Sequence, residues 1–109
     1  SVFGLVGGPE TAAYATAKGA VVNFTRTTAV DYAEAGVRVN SICPGFVETE
    51  MTRSELSDDA FYEFVSTQTP MGRIAEPEEI AEPAAFLVSE QASYITGVNL
   101  SIDGGWTTH

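Results

Sequence analysis

The run Val37-Arg38-Val39-Asn40-Ser41-Ile42-Cys43, closed by Pro44-Gly45, constrains the fold of this chain more than any other feature. It is short, largely apolar and bounded by Gly36 and the Pro-Gly pair, so it reads as a buried strand over residues 37–43. What precedes it reads as a helix. Residues 11–35 are rich in Ala and Val, with Thr11 as N-cap, Gly36 as the C-terminal stop, and Val21, Val22, Phe24, Thr25, Ala29 and Tyr32 available for buried faces. After the strand, residues 48–69 are polar and acidic, and a short amphipathic helix is predicted over 58–67 behind Ser57 as cap. Pro77 at a first helical position, followed by Glu78 and Glu79, starts a further helix to about Val88. Pro83 removes one backbone bond inside it, which predicts a kink or an early break. Val98, Leu100 and Ile102 alternate with Asn99 and Ser101 as a last strand. The order helix-strand-helix-helix-strand is that of an α/β chain.

Composition narrows the possible partners. Fifteen acidic residues against five basic ones give a net charge of −10, and the arginines are scattered, which disfavours nucleic acid and anionic membranes. No apolar run is long enough to span a bilayer and no secretory leader is visible, so a cytoplasmic setting is expected. Cys43, the single cysteine, is read as a packed thiol at the end of the strand. His109, the single histidine, is the last residue, so no metal site is expected. The length allows one small domain, and there are no repeats or linkers.

Chemistry enters at Tyr14-Ala15-Thr16-Ala17-Lys18, which contains the only lysine. Four residues apart on a helix, the two side chains leave the same face. A cation held beside a phenol favours the phenolate and fits the phenol for proton exchange near neutral pH. Ser1 lies thirteen residues before Tyr14, beyond the glycine-rich Gly4-Leu5-Val6-Gly7-Gly8-Pro9, and Pro44-Gly45-Phe46-Val47-Glu48-Thr49 follows the predicted strand.

In that order and spacing these residues resemble the second half of a short-chain dehydrogenase/reductase. The resemblance continues through Gly72-Arg73-Ile74-Ala75-Glu76-Pro77, Phe86-Leu87-Val88-Ser89, Tyr94-Ile95-Thr96-Gly97 and Asp103-Gly104-Gly105. It implies that residues 1–109 form the catalytic and C-terminal half of a doubly wound Rossmann-type parallel sheet, incomplete alone, with the N-terminal dinucleotide-binding half absent. No G-x-x-x-G-x-G turn opening a helix occurs, and Gly4, Gly7 and Gly8 are read as loop glycines.

The resemblance implies hydride transfer between NAD or NADP and a small alcohol or ketone. Ser1 would hydrogen-bond the substrate oxygen, Tyr14 would pass the proton, and Lys18 would hold the nicotinamide ribose. Backbone groups near Val47 and the Thr49 hydroxyl would hold the carboxamide and nearby phosphate, while Pro44 and Gly45 would let the ring approach closely. Ligands of such sheets bind at the carboxyl ends of the strands, where Pro44-Gly45 falls. The complete protein is expected to be a homo-oligomer, dimer or tetramer, and the isolated chain inactive. Two alternatives are a 3-oxoacyl carrier-protein reductase, against which the acidic segment 48–69 weighs, and a non-catalytic remnant serving as an oligomerisation module.

Overall fold

The computed structural model describes residues 1–109. A 3₁₀ turn over Val2–Gly4 leads into helix α1, Ala12–Tyr32, then strand β1, Ser41–Pro44. Helices α2, Arg53–Leu56, α3, Asp59–Gln68, and α4, Pro77–Val88, follow before strand β2, Asn99–Ile102. The two strands pair in parallel, with Ser41 opposite Asn99 and Pro44 opposite Ile102, so the sheet ends at Pro44 and Ile102 together. Parallel pairing needs a crossover, and α2, α3 and α4 supply it.

The core is only part built. Ten of the 109 residues are buried, and the 15.2 Å radius of gyration exceeds the roughly 13 Å of a compact chain this long. Helix α1 shows why. Val22, Thr25 and Ala29 recur at i, i+3 and i+7 and form its buried stripe, whereas Val21, Phe24 and Tyr32, expected to be available for burial, are more than half exposed. Nothing in these residues lies against that second face. The architecture is thus an incomplete Rossmann-type α/β layer, a two-stranded parallel sheet with α1 and the crossover helices beside it.

Several local expectations are corrected. Helix α1 ends at Tyr32 rather than near residue 35, and Gly36, at φ +74°, turns the chain after it. Thr11 is the N-cap, but its hydroxyl donates to the Gly8 carbonyl at 2.8 Å instead of capping the helix. The strand expected over 37–43 pairs only from Ser41. Upstream, side chains supplement a single backbone bond, from the Gly97 N–H to the Val39 carbonyl: the Val39 N–H donates to Thr96 Oγ1, and the Asn40 side chain donates to the Ile95 carbonyl and accepts from the Val98 N–H. Only Cys43 in that run is buried, and Val37 is half exposed.

The cap of α3 is Asp58, whose carboxylate accepts from the Ala60 N–H at 3.0 Å, and not Ser57, whose hydroxyl turns back to the Ser54 carbonyl. The short helix α2 was not anticipated, so three helices lie between the strands instead of two. Helix α4 runs through Pro83 without a break. Pro77 opens it and a reciprocal bond pair between Glu76 and Glu79 locks its first turn, so the one lost bond falls inside a helix already anchored upstream. Arg38 fixes its far end by donating to the carbonyls of Leu87, Ser89 and Ile95.

Candidate active site

The carboxyl end of β1 opens onto a cleft of about 530 Å³. Ser1, Tyr14, Pro44, Gly45, Val47 and Thr49 all line it. These six come from three places in the sequence, and the fold brings them to one wall. Lys18, the seventh candidate, does not line the cleft, but its ammonium lies 5.4 Å from the centre of the Tyr14 ring. The two side chains therefore share a helix face, as their four-residue spacing requires. The Tyr14 hydroxyl makes no hydrogen bond within the chain, and the residue is half exposed, so its oxygen is available to a ligand.

Close backbone packing sets the Ser1 loop against α1. A Cβ on Gly4 would lie 2.8 Å from the Lys18 carbonyl oxygen, so only glycine permits this approach. The Ser1 hydroxyl accepts from the Phe3 N–H at 3.2 Å and caps the 3₁₀ turn. Gly4, expected as a loop glycine, thus ends a turn pressed onto the helix that carries Tyr14 and Lys18.

Gly45 has a packing role besides lining the cleft. The space its Cβ would occupy faces Asp103, with the Asp103 Cα at 3.0 Å, so this glycine admits the neighbouring strand end. Its N–H donates to the Ile102 carbonyl at 3.0 Å, continuing the ladder past β1. Beyond it, Val47 bridges in parallel to Ala75, and the N–H groups of Glu48 and Thr49 go to the Ala75 carbonyl and Thr52 Oγ1. The Val47 N–H has no partner in the chain. An unpartnered amide and a threonine hydroxyl two residues on, both at the cleft, match the donor and acceptor needs of a primary carboxamide.

An aromatic chain that the sequence reading missed backs the cleft. Phe3 meets Tyr14 edge-on at 6.2 Å and Phe46 at 6.4 Å. Phe46 in turn packs on Phe61 at 6.0 Å and Trp106 at 5.1 Å. Edge-to-face pairs of this kind each contribute about 0.5–1.5 kcal/mol beyond buried area. Asp103 places Trp106: its carboxylate accepts from the Gly105 and Thr107 N–H groups at 3.0 Å and from the Thr107 hydroxyl at 2.6 Å. Partial burial pushes this carboxyl up, but those hydrogen bonds outweigh it and leave the group below its ordinary value.

Beside the cleft, Arg73 and Glu79 form a two-pronged ion pair at 2.7 and 2.6 Å. The Arg73 hydrogen bond, with help from the Glu76 N–H, takes the Glu79 carboxyl from 4.5 down to about 2. Both side chains are half exposed, so the pair orders the entry to α4 more than it stabilises the fold.

Residues 1–107 match the family described as enoyl-(acyl carrier protein) reductase. The chain is 49% identical over 111 residues to 2-(S)-hydroxypropyl-CoM dehydrogenase 3 of Xanthobacter autotrophicus, a match covering 98% of this chain and 44% of that protein. It is likewise 49% identical over 109 residues to meso-2,3-butanediol dehydrogenase of Serratia marcescens, covering 98% of this chain and 42% of the relative. The structure superposes on 4-hydroxyisoleucine dehydrogenase complexed with NADH at a TM-score of 0.96 and 38% identity, over all of this chain and 45% of that one. The chain therefore spans less than half the length of the relatives it matches.

Proposed function

Since the chain belongs to the short-chain dehydrogenase/reductase family, we propose that residues 1–109 are the catalytic half of an NAD- or NADP-dependent oxidoreductase acting on a small secondary alcohol or ketone. In this reading an N-terminal dinucleotide-binding half completes the full-length polypeptide, which works in the cytoplasm as a dimer or tetramer. The isolated chain, with its open α1 face, is inactive. The convergence of Ser1, Tyr14, Pro44, Gly45, Val47 and Thr49 on one cleft, with Lys18 over the Tyr14 ring, carries the proposal. A non-catalytic oligomerisation module has no use for that convergence.

The nicotinamide, when bound, takes hydride from the carbinol carbon of an alcohol or returns it to a ketone. The residues of this chain handle the rest. The Val47 N–H and Thr49 hydroxyl hold the carboxamide, and Lys18 holds the ribose. The Ser1 hydroxyl donates to the substrate oxygen and orients it. Tyr14 removes the hydroxyl proton during oxidation and restores it during reduction. Phe3 and Phe46 give the cleft an apolar wall suited to the carbon skeleton of a small alcohol.

Tyr14→Phe in the full-length polypeptide tests the assignment. Its ring keeps the contact with Phe3, so the expected result is an unchanged melting temperature and a fall in kcat of about 10²–10⁴. Retained turnover in that variant removes Tyr14 from the mechanism.

A further inference from the structure

Thr52 is the N-cap residue of α2, a position from which a threonine hydroxyl ordinarily accepts a bond from its own helix. Here it makes no such bond. Its Oγ1 reaches backwards instead, donating to the Val47 carbonyl at 2.6 Å and accepting from the Thr49 N–H at 3.0 Å. It also lies 3.2 Å from the Thr49 hydroxyl. A single oxygen thus spans both ends of Val47-Glu48-Thr49 and lies on the wall of the same cleft.

We propose that Thr52 is a positioning residue for the nicotinamide side of the site. Its hydroxyl fixes the backbone of Val47 and Thr49 so that the free Val47 amide and the Thr49 side chain are presented together to the cleft. The inference rests on the function proposed above and adds a residue to it. Two of its features follow from hydrogen-bond chemistry. The proton on Oγ1 goes to Val47, where the distance is shortest, which leaves the oxygen's lone pairs for the Thr49 N–H and for a proton from the Thr49 hydroxyl. With its hydroxyl turned toward Thr52, the Thr49 oxygen accepts from the Thr52 N–H at 3.4 Å and keeps one lone pair to accept from the N–H₂ of a carboxamide. Meanwhile the first turn of α2 is tied to the loop through the side chain that should have capped it. The start of α2 and the loop that carries Val47 and Thr49 are therefore joined at one oxygen.

Thr52→Val and Thr52→Ser in the full-length polypeptide separate this role from a merely structural one. Valine keeps the branched shape and removes the hydroxyl; serine keeps the hydroxyl. Titrations of NADH and NADPH followed by cofactor fluorescence, with steady-state rates at varied cofactor, give the readout. Thr52→Val is expected to weaken binding of the preferred reduced cofactor and raise its KM about tenfold, the effect of one lost hydrogen bond. Its kcat at saturating cofactor stays close to that of the unsubstituted protein, while the lost intrachain bonds lower its melting temperature by about 2–4 °C per kcal/mol. Thr52→Ser is expected to bind within about twofold of the unsubstituted protein, since it keeps that bond. Unchanged affinity in Thr52→Val, or equal weakening in both variants, overturns the inference while the proposed activity stands. An unsubstituted protein that binds neither cofactor overturns both.

Discussion

Gly4→Ala tests whether the packing of the Ser1 loop on α1 sets the catalytic geometry. The new Cβ would lie 2.8 Å from the Lys18 carbonyl oxygen, 3.0 Å from its carbonyl carbon and 2.9 Å from Cγ2 of Val22. Ordinary contact begins at 3.4 Å, so loop and helix must part by about 0.6 Å. Two of the three obstructing atoms belong to the backbone of a 21-residue helix, and Val22 is buried, so neither can swing aside. The φ at position 4 lies outside the left-handed region, so alanine adds a clash and no backbone strain.

Overpacking of this kind costs about 1–3 kcal/mol. In a full-length polypeptide of family size, that lowers the melting temperature by about 2–4 °C per kcal/mol. The displacement also reaches Ser1, because the Gly4 N–H is bonded to the Ser1 carbonyl at 3.0 Å across the 3₁₀ turn. A misplacement of about 1 Å can cost a hundredfold in rate, so a shift half that size predicts roughly a tenfold loss in kcat. Gly7→Ala is the control, since a Cβ there meets nothing within 4 Å. It is expected to melt within about 0.5 kcal/mol of the unsubstituted protein and to turn over normally. Nicotinamide absorbance under saturating substrates and thermal melting measure both variants. Equal kcat in Gly4→Ala and Gly7→Ala would falsify the positional argument, whatever the melting curves show.

Two further predictions concern stability. Arg38→Met removes three donated bonds to the Leu87, Ser89 and Ile95 carbonyls and should lower denaturant stability by about 2 kcal/mol. Arg38→Lys should recover less than half of that, since an ammonium lacks the planar fork, and a midpoint unchanged by Arg38→Met refutes the role. Glu79 and Asp103 titrate below their ordinary values, so each adds stability that is lost as the pH falls; for Glu79 it is complete above about pH 4.5 and fades as the pH falls toward about 2. Glu79→Gln should make the acid limb of a melting-temperature profile shallower over that window; identical limbs count against the Arg73 pairing.

Legibility in the sequence followed the range of the interactions. Helix α1, the strand end at Pro44-Gly45 and the Tyr14–Lys18 pair depend on spacing, turn residues and periodicity, all of which act within a few residues. Arg38 looked like one of several scattered bases because its acceptors lie 49 to 57 positions away. The missing half of the 37–43 strand was hidden for a related reason: its apolar character is real, but a ladder needs a backbone partner, and there the side chains of Asn40 and Thr96 bond to the facing backbone instead. Ser57 and Asp58 compete to cap the same helix, and only the backbone bend at Asp58 decides between them. Pro83 was judged by its local cost alone, without the anchoring that Glu76 and Glu79 give the first turn. Thr52 had a local signature, Thr-x-x-Thr after a Pro-Gly turn, but nothing in that spacing shows that its hydroxyl turns back to Val47 and Thr49.

The aromatic chain then joins parts of the sequence that no local rule connects. Asp103 lies where β2 ends, and the absence of a Cβ on Gly45 lets it approach there. Its carboxylate folds the tail so that Trp106 covers Phe46, Phe46 meets Phe3, and Phe3 meets the Tyr14 ring. The position of the Tyr14 ring is therefore fixed from two directions, by its own helix and by a stack of rings that begins at the C-terminal turn. Under the proposed function, a phenol that meets a substrate oxygen to within a fraction of an ångström gains from both. The same argument gives Asp103 a part in the proposed site without a place in proton transfer: it acts at the far end of the stack, by holding the tail in place.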